Sequence, residues 1–104
     1  MLIYNTTFCI SDEILEDSIM FLKKVYIPQA LVSGHLSEPR LALIHNQNEE
    51  AGVSYSLQFK VDNIESLNSW LKADGTILHQ KLADIFKGQM VGFNTLLEEI
   101  ELGL

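Results

Sequence analysis

Six polar and aromatic side chains have the chemistry to bind a ligand or move a proton. They are two amides, two phenols, a guanidinium and an imidazole: Asn5, Gln58, Tyr26, Tyr55, Arg40 and His79. Amides donate and accept hydrogen bonds, phenol and imidazole groups exchange protons, and a guanidinium can hold a carboxylate. The sequence therefore predicts these six as ligand-binding residues. The alternative is that they satisfy one another across a subunit interface, with Arg40 in a surface ion pair.

The sequence lacks the residue spacings that are typical of metal-binding, nucleophilic and phosphate-binding sites. No two of the three histidines, His35, His45 and His79, are four residues apart, and none has a cysteine or carboxylate at ligand spacing. Cys9 has no CxxC partner and lies in an apolar segment, which is typical of a buried structural thiol. GxGxxG and GxxxxGK are both absent. We expect no metal and no cofactor, and the sequence assigns no catalytic residue.

Composition restricts the class of protein. The chain has 104 residues, 47% of them hydrophobic, and a formal charge of −7, which predicts one globular domain over residues 1–104. The negative charge disfavours nucleic acid and anionic membranes as partners. A single cysteine excludes an intrachain disulfide, and Met1–Asn5 lacks the basic start of a signal peptide. These features predict a cytoplasmic protein.

The first half of the chain begins with a strand and a helix. Leu2–Ile10 is rich in β-branched and aromatic residues and predicts a strand. Ser11–Glu13 has the polar and acidic residues typical of a helix start, and helical spacing of apolar residues follows. Pro28 has no backbone N–H, so the helix should kink or end near Ile27, with a last turn to Gly34.

A hairpin follows. Arg40–Asn46 predicts a second strand and Val53–Val61 a third, in which apolar and polar residues alternate strictly. Gln47–Gly52 has turn-forming residues, and so short a connection predicts antiparallel pairing.

A second helix and a last strand complete the pattern. Asp62 and Glu65 resemble a capping box at the start of the helix, and Gly75 predicts a left-handed break within it. The helix resumes at Thr76 and ends at Lys87-Gly88, before a strand over about Gln89–Leu97.

The order strand, helix, strand, strand, broken helix, strand predicts a ferredoxin-like α+β sandwich with a four-stranded antiparallel sheet. Both helices should cover one sheet face, and the first and third strands should be neighbours, with Asn5 beside Gln58. Apolar residues project from both faces of the first and last strands. A sheet face that no helix covers but that carries apolar residues predicts a homodimer.

Four segments together resemble the domain-of-unknown-function 4286 family. They are Met1–Asn5, Tyr26-Ile27-Pro28 with Gly34, Val53–Phe59 and Gly92–Glu98. The resemblance implies a ferredoxin-like fold of the dimeric α/β-barrel type, which small cofactor-free monooxygenases and stress-responsive barrel proteins also use, and it implies no known activity. Family members often have His-Ile-Pro where this chain has Tyr26-Ile27-Pro28. If that histidine is a base, a tyrosine with a pKa of about 10 is a poor substitute.

Two functions are consistent with these features. The first is a binding or interaction module with a sheet-lined cavity for a small molecule. The alternative is a cofactor-free, monooxygenase-like enzyme acting on a phenolic or quinonoid molecule, with Tyr26, Asn5 or His79 assisting proton transfer. An enzyme of this kind needs a pocket of roughly 300 Å³ with convergent polar groups, whereas a scaffold has a filled interface.

Overall fold

The computed structural model describes residues 1–45 and 52–104. The predicted ferredoxin-like α+β fold is confirmed. Strands and helical regions follow one another in the predicted order, and the four strands form one antiparallel sheet. The elements are β1 (Leu2–Ile10), a 3-10 turn (Asp12–Ile14), α1 (Leu15–Phe21), a π-helical segment (Leu22–Tyr26), α2 (Ile27–Leu31), β2 (Leu36–Ile44), β3 (Val53–Val61), α3 (Ile64–Trp70), a second π-helical segment (Leu71–Gly75), α4 (Thr76–Phe86) and β4 (Met90–Glu98). We call α1 to α2 the first helical arm and α3 to α4 the second.

The strands lie in the order β2-β3-β1-β4, and all three pairs are antiparallel. Asn5 of β1 lies opposite Gln58 of β3, as predicted. Tyr4, Phe8 and their neighbours on the same face of β1 are buried in one core with the helical arms. The other sheet face is left without a helix.

The second strand begins earlier than predicted, at Leu36 rather than Arg40. The register between β2 and β3 shifts between Ser37 and Arg40, where Glu38 adopts a φ of 49°. Pro39 follows at this irregularity, which fits its missing N–H on an edge strand. The predicted turn Gln47–Gly52, apart from Gly52 itself, and the predicted strand end at Asn46 lie outside the described residues.

Both helical arms continue through their π segments. Ile27 N–H donates to the Leu22 carbonyl, and the arm runs past Pro28. The second helix is divided into α3 and α4 as predicted, but the predicted left-handed conformation of Gly75 is wrong, since Gly75 is helical with a φ of −62°. Glycine is required there for another reason: a Cβ would lie 2.7 Å from Cζ3 of Trp70.

The caps of the second arm agree with prediction at one end only. The predicted capping box at Asp62 is wrong: Asn63 is the N-cap, and its Oδ1 accepts from Ser66 N–H at 2.8 Å. At the other end the arm ends at Lys87-Gly88, as the sequence predicted; both residues are left-handed, with φ of 47° and 87°. No helix in the described residues is long and apolar enough to cross a membrane.

Candidate functional site

A half-open cleft of about 310 Å³ lies between α4 and the β1–β4 side of the sheet. Its apolar walls come from β1, α4 and β4, and its polar groups from a threonine, a histidine and an asparagine. The lining residues are Thr6, Phe8, His79, Leu82, Ala83, Met90, Val91, Gly92 and Asn94.

A tyrosine–histidine pair lies at this cleft. Tyr26 Oη and His79 Nε2 are 3.0 Å apart, and the two rings are nearly parallel, at 19°. Tyr26 is buried, whereas His79 is half-buried and lines the cleft. Burial raises the pKa of Tyr26 above its usual value, and Tyr4 raises it further; burial lowers the pKa of His79. Both side chains are therefore neutral at pH 7, and the imidazole can accept a proton.

The π segments help to set the direction of these two side chains. Tyr26 ends the first π segment, and His79 follows the second by one helical turn. A π turn holds more residues than an α turn, so it rotates the residues after it relative to those before. This rotation cannot be predicted from the helical periodicity of the sequence alone.

A second polar pair joins the two strands of the cleft. Thr6 of β1 lies opposite Asn94 of β4, and its hydroxyl donates to Asn94 Oδ1 at 2.9 Å. Since Oδ1 is the acceptor, the amide nitrogen of Asn94 is a donor. Sequence reasoning missed both residues. The available signal was that each lies on the helix-facing side of an otherwise mainly apolar strand.

Gly92 leaves room beside the ring of Phe8. It lies opposite Phe8 in the sheet, and a Cβ at this position would be 3.1 Å from Phe8 Cδ1. A side chain here would therefore occupy part of the space between β4 and α4.

The six predicted binding residues do not form one site. Tyr26 and His79 come together at the cleft. Asn5 lies with Gln58 on the uncovered sheet face, where its side chain donates to Thr7 and accepts from Ser56. The other two lie elsewhere: Arg40 is exposed opposite Gln58, and Tyr55 packs against the core from the helix-facing side of β3.

Among the described residues, no group of three or more His, Cys, Asp or Glu side chains is placed to hold a metal ion. The described ion pairs join Lys60 to Glu38 and Glu99 at the surface.

The fold is that of ferredoxin-like proteins of the antibiotic biosynthesis monooxygenase type. A protein of the ethyl tert-butyl ether D (EthD) family from Bacillus halodurans is similar over 96% of this chain and 100% of its own, with a TM-score of 0.69 and 16% identity. A candidate antibiotic biosynthesis monooxygenase from Deinococcus radiodurans is similar over 97% of this chain and 94% of its own, with a TM-score of 0.68 and 17% identity. An antibiotic biosynthesis monooxygenase is similar over 97% of this chain and 100% of its own, with a TM-score of 0.65 and 10% identity.

The chain belongs to the family described as Domain of unknown function (DUF4286), whose sequence model matches residues 1–100. The resemblance found in the sequence is thereby confirmed. No curated protein matches the chain.

Proposed function

We propose that this protein is a small-molecule-binding module whose cleft takes an uncharged, largely apolar ligand. The observation that carries the proposal is the convergence of Thr6, His79 and Asn94 in a cleft of about 310 Å³ with otherwise apolar walls. This volume is at the lower end of the range for small-molecule sites, which are mostly apolar with a few placed polar groups.

The chemistry of the cleft supports a neutral ligand. None of the described lining residues carries a formal charge, since the pKa of His79 is lowered by burial. A charged ligand group would lose its hydration without gaining an ionic partner, which is costly. Hydrogen-bonding groups on an apolar body match the lining better.

Titration with 1-tetralone, a neutral bicyclic ketone, tests this function by amide NMR. We expect saturable shifts of the amide resonances of Thr6, Ala83 and Gly92. Ala83→Leu should abolish them by filling the cleft from α4, whereas Ala73→Leu, on an exposed position outside the cleft, should bind like the wild type. Shifts that do not saturate, or that Ala83→Leu leaves unchanged, would contradict the proposal.

A second function, the oxygenation of a phenol, is favoured by the Tyr26–His79 pair. If His79 Nε2–H donates to Tyr26, the other ring nitrogen can accept the proton of a phenol in the cleft. Dioxygen then oxidises the phenol to a quinone: one oxygen atom enters the ring, and the other leaves as water with the two hydrogens removed.

The probe for this activity is 1-naphthol in air, which would give 1,4-naphthoquinone and water. We expect quinone formation above the protein-free rate, lost in His79→Gln and kept in His35→Gln. A rate equal to the protein-free control would leave binding as the function.

We also propose a homodimer formed through the uncovered sheet face. Val91 and Phe93 of β4 expose 55% and 59% of their surface there, and Leu97 and Ile44 add further exposed apolar area. Exposed apolar side chains on an uncovered sheet face are typical of an interface, and a two-fold axis would pair this face with its own copy.

Native mass spectrometry of the purified protein tests the dimer. We expect a dimer that Phe93→Glu converts to a folded monomer, whereas Val32→Glu, on the exposed helical side, has no effect. A wild-type monomer would exclude this interface.

The proposed setting is the cytoplasm, which the lone thiol of Cys9 fits, with neither nucleic acid nor membrane as a partner because the chain carries a charge of −7.

A further inference from the structure

A glycine lies inside β4, at Gly92, although its backbone conformation does not require one. Gly92 is not among the residues with a positive φ, so other residues could adopt its conformation. Glycine weakens the interior of a strand, and it often marks a place where a ligand or another part of the chain approaches the backbone closely. The reason for this glycine therefore lies in the space around it.

A side chain at Gly92 would point toward the cleft. Gly92 lies opposite Phe8 on the helix-facing side of the sheet, and both residues line the cleft. A Cβ at this position would be 3.1 Å from Phe8 Cδ1 and 3.3 Å from Thr6 Cγ2, which is closer than a Cβ normally approaches its neighbours. Thr6 also lines the cleft, so a side chain here would press on two of the lining residues.

These two neighbours have little freedom to move away from an added side chain. Phe8 is 2% exposed, and its ring packs edge-on against Tyr26 with centroids 6.0 Å apart. Thr6 is buried as well, and its hydroxyl donates to Asn94. Because a closely packed interior yields little, an added Cβ at Gly92 would narrow the cleft.

Ala83 is the matching small residue on the opposite wall. It lines the cleft from α4, whereas Gly92 lines it from β4. The other lining residues of α4, His79 and Leu82, have larger side chains. Gly92 and Ala83 are thus the two smallest of the described lining residues, and they lie on the helix and sheet walls that bound the cleft.

We propose that Gly92 and Ala83 determine the thickness of the ligand that the cleft accepts, so that a flat body enters between them and a globular body of equal size is excluded. This inference rests on the proposed binding function. A body in contact with both walls gains dispersion contacts on its two sides, whereas a thicker body would force the packed walls apart.

Two neutral probes test the proposal: 1-tetralone, which is flat, and 2-adamantanone, which is globular and has the same numbers of carbon and oxygen atoms. Dissociation constants are measured for the wild type, Gly92→Ala, Ala83→Gly and Ala73→Gly, a control at an exposed position of the same helical arm. The wild type should bind tetralone at least about ten-fold more tightly than adamantanone, since a methyl-sized misfit in a pocket has an effect of this order.

The two cleft variants should act in opposite directions. Gly92→Ala should weaken tetralone binding by about ten-fold, because the added methyl group takes space that the ligand needs. Ala83→Gly should strengthen adamantanone binding by about ten-fold, because it widens the gap from the helix side. Ala73→Gly should keep the wild-type ratio of the two constants, which separates the width of the gap from the effect of glycine on helix stability.

The failure of this inference and the failure of the binding function are distinguishable. If tetralone binds in the cleft but the wild type binds both probes equally, or Ala83→Gly leaves their ratio unchanged, the inference is overturned and the binding function stands. An equal loss of both probes in Gly92→Ala would show that the glycine only accommodates the Phe8 ring. If Gly92→Ala does not fold, Ala83→Gly still decides the question. If neither probe gives saturable amide shifts of Thr6 and Ala83, the binding function fails, and the inference fails with it.

Discussion

The indole of Trp70 joins the two helical arms, since its Nε1–H donates to the Ala30 carbonyl oxygen at 3.0 Å. Ala30 lies in the last turn of the first arm, where helix carbonyls lack partners within the helix. The same Trp70 ring contacts Tyr4 and His79, so this hydrogen bond holds the helices that shape the cleft.

Replacing Trp70 with Phe should lower the free energy of unfolding by about 2–3 kcal/mol. The change removes the hydrogen bond to Ala30 and leaves a cavity at a fully buried position. Urea unfolding measures the loss, and Ser69→Ala, at the exposed neighbouring position, should change stability little. Equal stabilities for Trp70→Phe and the wild type would show that the indole does not join the arms.

Gly75→Ala should destabilise the protein by at least about 1 kcal/mol, although alanine is the better helix former by about that amount. The added Cβ would lie 2.7 Å from Trp70 Cζ3, and the ring is too tightly packed to move freely. The reverse change at a nearby exposed helical position, Ala73→Gly, should also destabilise, by about 1 kcal/mol. A gain in melting temperature for Gly75→Ala would contradict the close contact.

Asn63→Ala should cost about 1 kcal/mol of stability, because Asn63 Oδ1 caps the Ser66 N–H at the start of α3. The matched control is Asp62→Ala, one residue earlier and equally exposed, which should change stability little. Chemical denaturation of both variants separates the observed cap from the one the sequence suggested, and a larger loss for Asp62→Ala would reverse the assignment.

Stability should fall with acid through His79. Burial lowers the pKa of His79 in the folded protein below the usual 6.5, so the unfolded chain takes up this proton more readily. The contribution of neutral His79 to the free energy of unfolding is therefore present above pH 6.5. It is lost as the pH falls from 6.5 through the pKa of His79 in the folded protein. Denaturation of the wild type and His79→Gln between pH 4 and 8 should give curves that converge in acid. His35→Gln is the control, and parallel curves for the wild type and His79→Gln would contradict the shift.

The sequence alone determined which face of β3 is buried. Residues alternate between the two faces of a strand, so the pattern of Val53–Val61 fixed its core side and placed Asn5 opposite Gln58 once the strand order was known. The end of the second arm at Lys87 and Gly88 could also be predicted from the sequence. A helix commonly ends at a left-handed residue, often glycine, and this preference depends only on local sequence.

Which side chains meet at the candidate site was decided by the tertiary structure alone. Tyr26 and His79 are 53 residues apart, and Thr6 and Asn94 are 88 apart, so no local spacing signals either pair. The role of Gly75 was also hidden, since it depends on where the Trp70 ring packs. Periodicity specifies the face on which a side chain lies, whereas the packing of helices over the sheet, together with the π turns that rotate them, specifies which side chains meet.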